Sequence, residues 1–193
     1  MAALALTTLR VALAPALLWI TRDGRAGAWY VVCCLVALVS DIVDGVIARR
    51  AGVDTAGLRR YDSVADTIFY ATAAWTVWRV HPEVVRAYWP GAAIVVGLEV
   101  ARYGFDLRKF GREASYHAWS AKVWGLSLAI ALVAVMGFGR AVPWVALAIV
   151  LGVVADLEGL AISVVLPAWR HDVKSIVHAR AMATADASGV RPG

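Results

Sequence analysis

The sequence predicts an all-α integral membrane protein, a bundle of six transmembrane helices. Of its 193 residues, 61% are hydrophobic and only 17% are charged, and the mean hydropathy is +0.69. A soluble domain is closer to half apolar. Apolar runs long enough to cross a bilayer recur along the chain, separated by tiny turns and by two longer polar loops at 50–61 and 106–118. Seven of the nine tryptophans, Trp19, Trp29, Trp78, Trp89, Trp119, Trp144 and Trp169, fall near the expected span ends, as interfacial belts do.

The first span is expected over about Leu4 to Ile20, with Pro15 as a kink point, and the second over about Ala28 to Arg49. The third covers about Asp62 to Val80 and the fourth Tyr88 to Phe105. The fifth runs from Trp119 to Phe138 and the sixth from Val142 to Leu166. No long polar stretch divides the chain, so residues 1–175 are expected to form one membrane domain. The chain after Pro167 is expected to fray, with residues 176–193 as a polar C-terminal tail. Arg10 interrupts the first apolar run and no small-residue cleavage pattern follows it, so that run is read as a mature helix rather than a leader.

Charge sets the orientation. With the N-terminus inside, 14 of the 19 Lys and Arg residues fall on one face, together with both long loops. The positive-inside rule then predicts a multi-pass protein of the inner membrane with that face in the cytoplasm. The net charge of +5 and pI near 9.6 come mostly from short loops, which favours anionic lipid headgroups over nucleic acid as partners. Cys33 and Cys34 are adjacent within an apolar run and predict no structural disulfide.

The chemistry concentrates in Ser40–Asp66, which sets Asp41, Asp44, Asp62 and Asp66 at the ends of two apolar segments. An acid in such a setting costs several kcal/mol by most estimates, about 2.5–3.5 on insertion scales. Asp41 and Asp44 are three apart and Asp62 and Asp66 four apart, so on helices each pair shares a face. Two such faces opposed would repel unless cations lay between them. Carboxylate oxygens suit hard divalent ions such as Mg²⁺ or Mn²⁺.

Asp41-Ile-Val-Asp44-Gly45-Val-Ile-Ala48-Arg49, followed by Asp62-Ser-Val-Ala-Asp66, closely resembles the signature of the CDP-alcohol phosphatidyltransferase family. That pattern reads D-x-x-D-G-x-x-A-R, eight residues, G, three residues, D, three residues, D, and seven of its eight fixed positions match. The exception is the later glycine, which is Leu58 here. Gly57 stands one place early, a rotation of about 100° on a helix. Leu6-Thr7-Thr8-Leu9-Arg10 also resembles the family's opening L-T-x-x-R, and with six spans the resemblance covers most of the chain.

The resemblance implies two divalent cations, Mg²⁺ or Mn²⁺, held by Asp41, Asp44, Asp62 and Asp66, with Asp66 also the general base. It implies a donor such as CDP-diacylglycerol, an alcohol acceptor, release of CMP, and a role in phospholipid biosynthesis; it also admits a homodimer. Gly45 and Ala48, nearly without side chains, would let the nucleotide approach the backbone, and Arg49 would add a cation for phosphate. Thr7, Thr8 and Thr55 match nucleotide-contact regions. On the acceptor side, Arg112, His117 and Lys122 belong to a basic stretch suited to a phosphorylated alcohol.

Asp156 and Glu158 stand midway along the sixth span and are read first as structural partners of Arg10 or Arg102, and otherwise as lining the acceptor cavity. Two other readings use the same aspartates. An intramembrane prenyltransferase would bring more spans and lack the D-G-x-x-A-R run. A divalent-cation transporter would distribute its acids through the membrane depth, and internal repeats of that class are not evident.

Overall fold

A computed structural model describes residues 2–51, 55–114, 116 and 118–187, with side chains for 4–47, 55, 57, 60–114, 116 and 118–185. Among the described residues there are seven helices and no strand. They are α1 (Ala2–Ile20), α2 (Ala28–Ala51), α3 (Ala56–Val80), α4 (Pro82–Phe110), α5 (Trp119–Phe138), α6 (Trp144–Val165) and α7 (Ile176–Ala187). Helix α1 is continuous through Pro15.

Among the described residues, four helices are long and apolar enough to cross a membrane: α2 over Ala28–Ile47, α4, α5 and α6. The apolar part of α1, Leu4–Ile20, is shorter. Helix α3 has the length but carries Arg59, Arg60, Asp62 and Asp66 in its first half. Helices α3 and α4 both start earlier than their apolar runs, because polar residues extend the helix beyond the greasy segment.

The chain divides into two compact units. The first comprises Met1–Ala87 and Ala129–Val142. Here α1 packs on both α2 and α3. Small buried residues, Ala14, Ala37, Ala65 and Ala73, let the backbones come close. Far from the acids, the Tyr30 hydroxyl meets Thr76 Oγ1 at 2.8 Å. Thr76 gives its own proton to the Ala73 carbonyl, so Tyr30 is the donor. Gly137 on α5 faces Val31 on α2 so closely that a Cβ there would stand 2.5 Å from Val31 Cγ2. Gly137→Ala is therefore expected to cost about 1–3 kcal/mol as Val31 is forced aside. A lowered unfolding midpoint in detergent checks this; an unchanged midpoint would count against the contact.

The second unit comprises Tyr88–Leu128 and Pro143–Gly193. Its axis is α6, which buries Ala148, Gly152, Ala155, Asp156, Gly159, Ile162 and Ser163, residues that recur at helical spacing on one face. Gly159 is required by a close approach: a Cβ would lie 2.8 Å from Arg102 Cδ. Arg102 gathers three acids. It donates from Nη2 to Glu99, and its Nη1 and Nε stand 3.9 Å from Asp106 and 3.6 Å from Asp156. Asp156 thus has its partner in Arg102.

Glu158 takes a different role from the ion pairing expected of it. Its Oε1 accepts the backbone N–H of Ile176, the first residue of α7, at 3.1 Å. Ser175 caps the same helix, accepting the His178 N–H at 3.3 Å. The segment expected to fray from 176 is therefore helical to Ala187. It docks through Ala179 against Ile162, Leu166 and Val173. At the same end of α6, Lys109 Nζ donates to the carbonyls of Ser163 and Val164 at 2.8 and 2.9 Å, which would otherwise lack partners in the last turn.

Candidate active site

The expected acids do converge. Asp41 and Asp44 project from α2 and Asp62 and Asp66 from α3, because spacings of three and four keep each pair on one helical face. Single carboxylate oxygens of Asp41, Asp62 and Asp66 all lie within 4.8 Å of one another. Asp44 is the most enclosed of the four, its side chain 6% exposed against 35–46% for the others. It also accepts a hydrogen bond from Thr7 Oγ1 on α1 at 3.1 Å.

Arg10, one turn beyond Thr7, sits at the middle of this arrangement with its side chain only 2% exposed. A guanidinium carries four N–H bonds on its two Nη atoms. Nη1 donates to Asp41 Oδ1 at 2.8 Å and to Asp66 Oδ1. Nη2 donates to Asp44 Oδ2 at 2.5 Å and to Asp62 Oδ1. Each Nη therefore bridges one aspartate of α2 and one of α3. Nε is buried with no hydrogen-bond partner among the described residues. One positive charge against four carboxylates leaves a formal excess of three negatives. The sequence matches Arg10 to the L-T-x-x-R opening and offers it as a partner for Asp156 or Glu158, but does not place it among the four aspartates. The available signal was an arginine inside an apolar helix, where a charge needs a partner.

The donor set fits divalent cations. It is all carboxylate oxygen, it bears more negative charge than Arg10 neutralises, and the oxygen spacing of Asp41, Asp62 and Asp66 is short enough for one ion to bridge. Beside it lies a small cavity lined by Arg10, Asp41, Asp66, Cys34, Phe69 and Tyr70.

The other expected residues are less tightly gathered. Gly45 is half-buried, one residue beyond Asp44. The side chains of Ala48, Arg49 and Leu58 lie outside the described residues, and Gly57 has open space around its Cα. Thr8 points to α3, where the Tyr61 hydroxyl meets its Oγ1 at 3.1 Å. Thr55 is exposed just before α3. In the second unit, Arg112 stacks over Trp169 at 4.9 Å and Lys122 over Trp119 at 4.7 Å. Both are cation–π contacts of the kind interfacial residues make. His117 lies outside the described residues.

The family model of CDP-alcohol phosphatidyltransferase matches residues 1–181. The match spans most of the chain, and the protein belongs to that family. Neither curated proteins nor solved structures gave a match. Membership makes the chain a membrane transferase of phospholipid biosynthesis, one that moves a phosphatidyl-type group from a CDP-linked donor to an alcohol acceptor.

Proposed function

We propose that this CDP-alcohol phosphatidyltransferase transfers a phosphatidyl group from CDP-diacylglycerol to the hydroxyl of a small alcohol, releasing CMP. The observation that carries the reading is the convergence of Asp41, Asp44, Asp62 and Asp66 from two helices on one point. The four are read as holding two Mg²⁺ or Mn²⁺ ions, which when bound neutralise the pyrophosphate and the departing CMP.

This chain's own residues supply the rest. Asp66 takes the proton from the acceptor hydroxyl as its oxygen attacks the lipid-side phosphorus in line. The new P–O bond forms while the bond to the CMP oxygen breaks, and the electron pair leaves with CMP. Thr7 steadies Asp44 through its hydrogen bond. Thr7, Thr8, Gly45, Ala48, Arg49 and Thr55 are read as the nucleotide side of the pocket. Arg112, His117 and Lys122 are read as the acceptor side, suited to a phosphorylated alcohol.

The same reading takes residues 1–175 as one membrane domain with six spans, α1 and α3 joining the four long apolar helices. It sets the acids at the cytoplasmic face of the inner membrane, on the strength of the Lys and Arg bias.

The test is purified protein in mixed micelles with CDP-diacylglycerol, with CMP release followed across a panel of alcohols in Mn²⁺, Mg²⁺ or EDTA. Release that needs one alcohol and stops in EDTA is the expected result. Release equally fast in EDTA would sink the metal assignment, and no release with any alcohol would sink the donor.

A further inference from the structure

The geometry points to Arg10 as a built-in counter-cation of the acid cluster, one that divalent ions must displace in order to bind. This rests on the reading of the cluster as a metal site and adds a competitor to it. Each Nη atom bridges an α2 aspartate and an α3 aspartate, Asp41 with Asp66 and Asp44 with Asp62. Those are the positions where a positive centre is best placed to hold the two helices together. An ion bridging the same oxygens would meet N–H groups already pointing at them, and like charges at such range repel.

The side chain is free to leave in the sense that matters. Among the described residues, only the four carboxylates hold its head, since Nε makes no hydrogen bond there. A small cavity borders the guanidinium on the side of Asp41 and Asp66. The arrangement keeps four close acids from forcing α2 and α3 apart while metal is scarce. The same contact weakens metal binding, because part of each ion's binding energy goes to dislodging Arg10.

Two measurements with Mn²⁺ alone test this, neither of them an activity. In the unaltered protein, Arg10 should react slowly with phenylglyoxal in EDTA and faster once Mn²⁺ is added, with the site located by mass spectrometry. Slower or unchanged reaction in Mn²⁺, with Mn²⁺ bound, would overturn the displacement. In Arg10→Gln, Mn²⁺ affinity read by paramagnetic resonance should rise about tenfold, within the range of ordinary coupling between sites. The EDTA form of that variant should melt lower than the unaltered protein and recover more on adding Mn²⁺. Equal or weaker Mn²⁺ affinity in a folded Arg10→Gln would also defeat the proposal. If that variant does not fold, the phenylglyoxal result decides. Should the unaltered protein and Arg10→Gln both bind no Mn²⁺, the metal reading itself fails. Mn²⁺ binding that is lost in Asp62→Asn yet unimproved in Arg10→Gln removes only the role given to Arg10.

Discussion

Asp66→Asn should lower CMP release by at least about 100-fold, the lower bound of what a positioned general base contributes, while the protein still binds CDP-diacylglycerol. The amide keeps the size of the side chain and can still accept a hydrogen bond from Arg10, but it cannot take the acceptor's proton. Substrate affinity by calorimetry, set beside initial rates, separates the two effects. Turnover within a few-fold of the unaltered protein would move the general base elsewhere, and lost donor binding would make Asp66 chiefly a ligand.

The second large effect is expected far from the four aspartates in sequence. Arg102→Met should destabilise the protein by about 3 kcal/mol, the lower end of the cost of stripping one partner from a buried ion pair. The lower end applies because the arginine side chain is 22% exposed. Without the guanidinium, Glu99, Asp106 and Asp156 face one another uncompensated. Asp106 and Asp156 already have buried oxygens with no hydrogen bond among the described residues. Adding Asp156→Asn to Arg102→Met should restore part of the loss. Thermal unfolding in detergent reads both, and a double variant no more stable than Arg102→Met would show that the acids do not repel through this site.

Much of the site was legible beforehand because it is written in short spacings. Asp41 with Asp44, and Asp62 with Asp66, obey the helical period, so a shared face follows once the helices form. Their meeting across α2 and α3 was also foreseeable, since unpaired acids in apolar segments need company. Arg10's place among them was not. Its ion pairs reach 31 to 56 residues along the chain, and periodicity carries no information on which distant charge completes a cluster.

The fold divides the same way. The four long apolar helices declare themselves by composition. Helix α7 does not: it is polar, short, and rests on a one-residue cap at Ser175 together with the carboxylate of Glu158. Asp156 and Glu158 are two residues apart, about 200° around the helix, and so serve different neighbours. One turns to Arg102 and the other to Ile176. Treating them as a pair concealed this.

That bond from Glu158 to Ile176 ties the start of α7 to α6. A protein trimmed after residue 175 would lose the N–H that Glu158 holds, and with it the helix whose Ala179 covers Ile162 and Leu166. An acid on the flank of α6 and two aliphatic side chains would be opened to detergent in one cut. The last span therefore depends on sequence that looks dispensable by hydropathy, and deletions meant to tidy the C-terminus should stop short of Ala187.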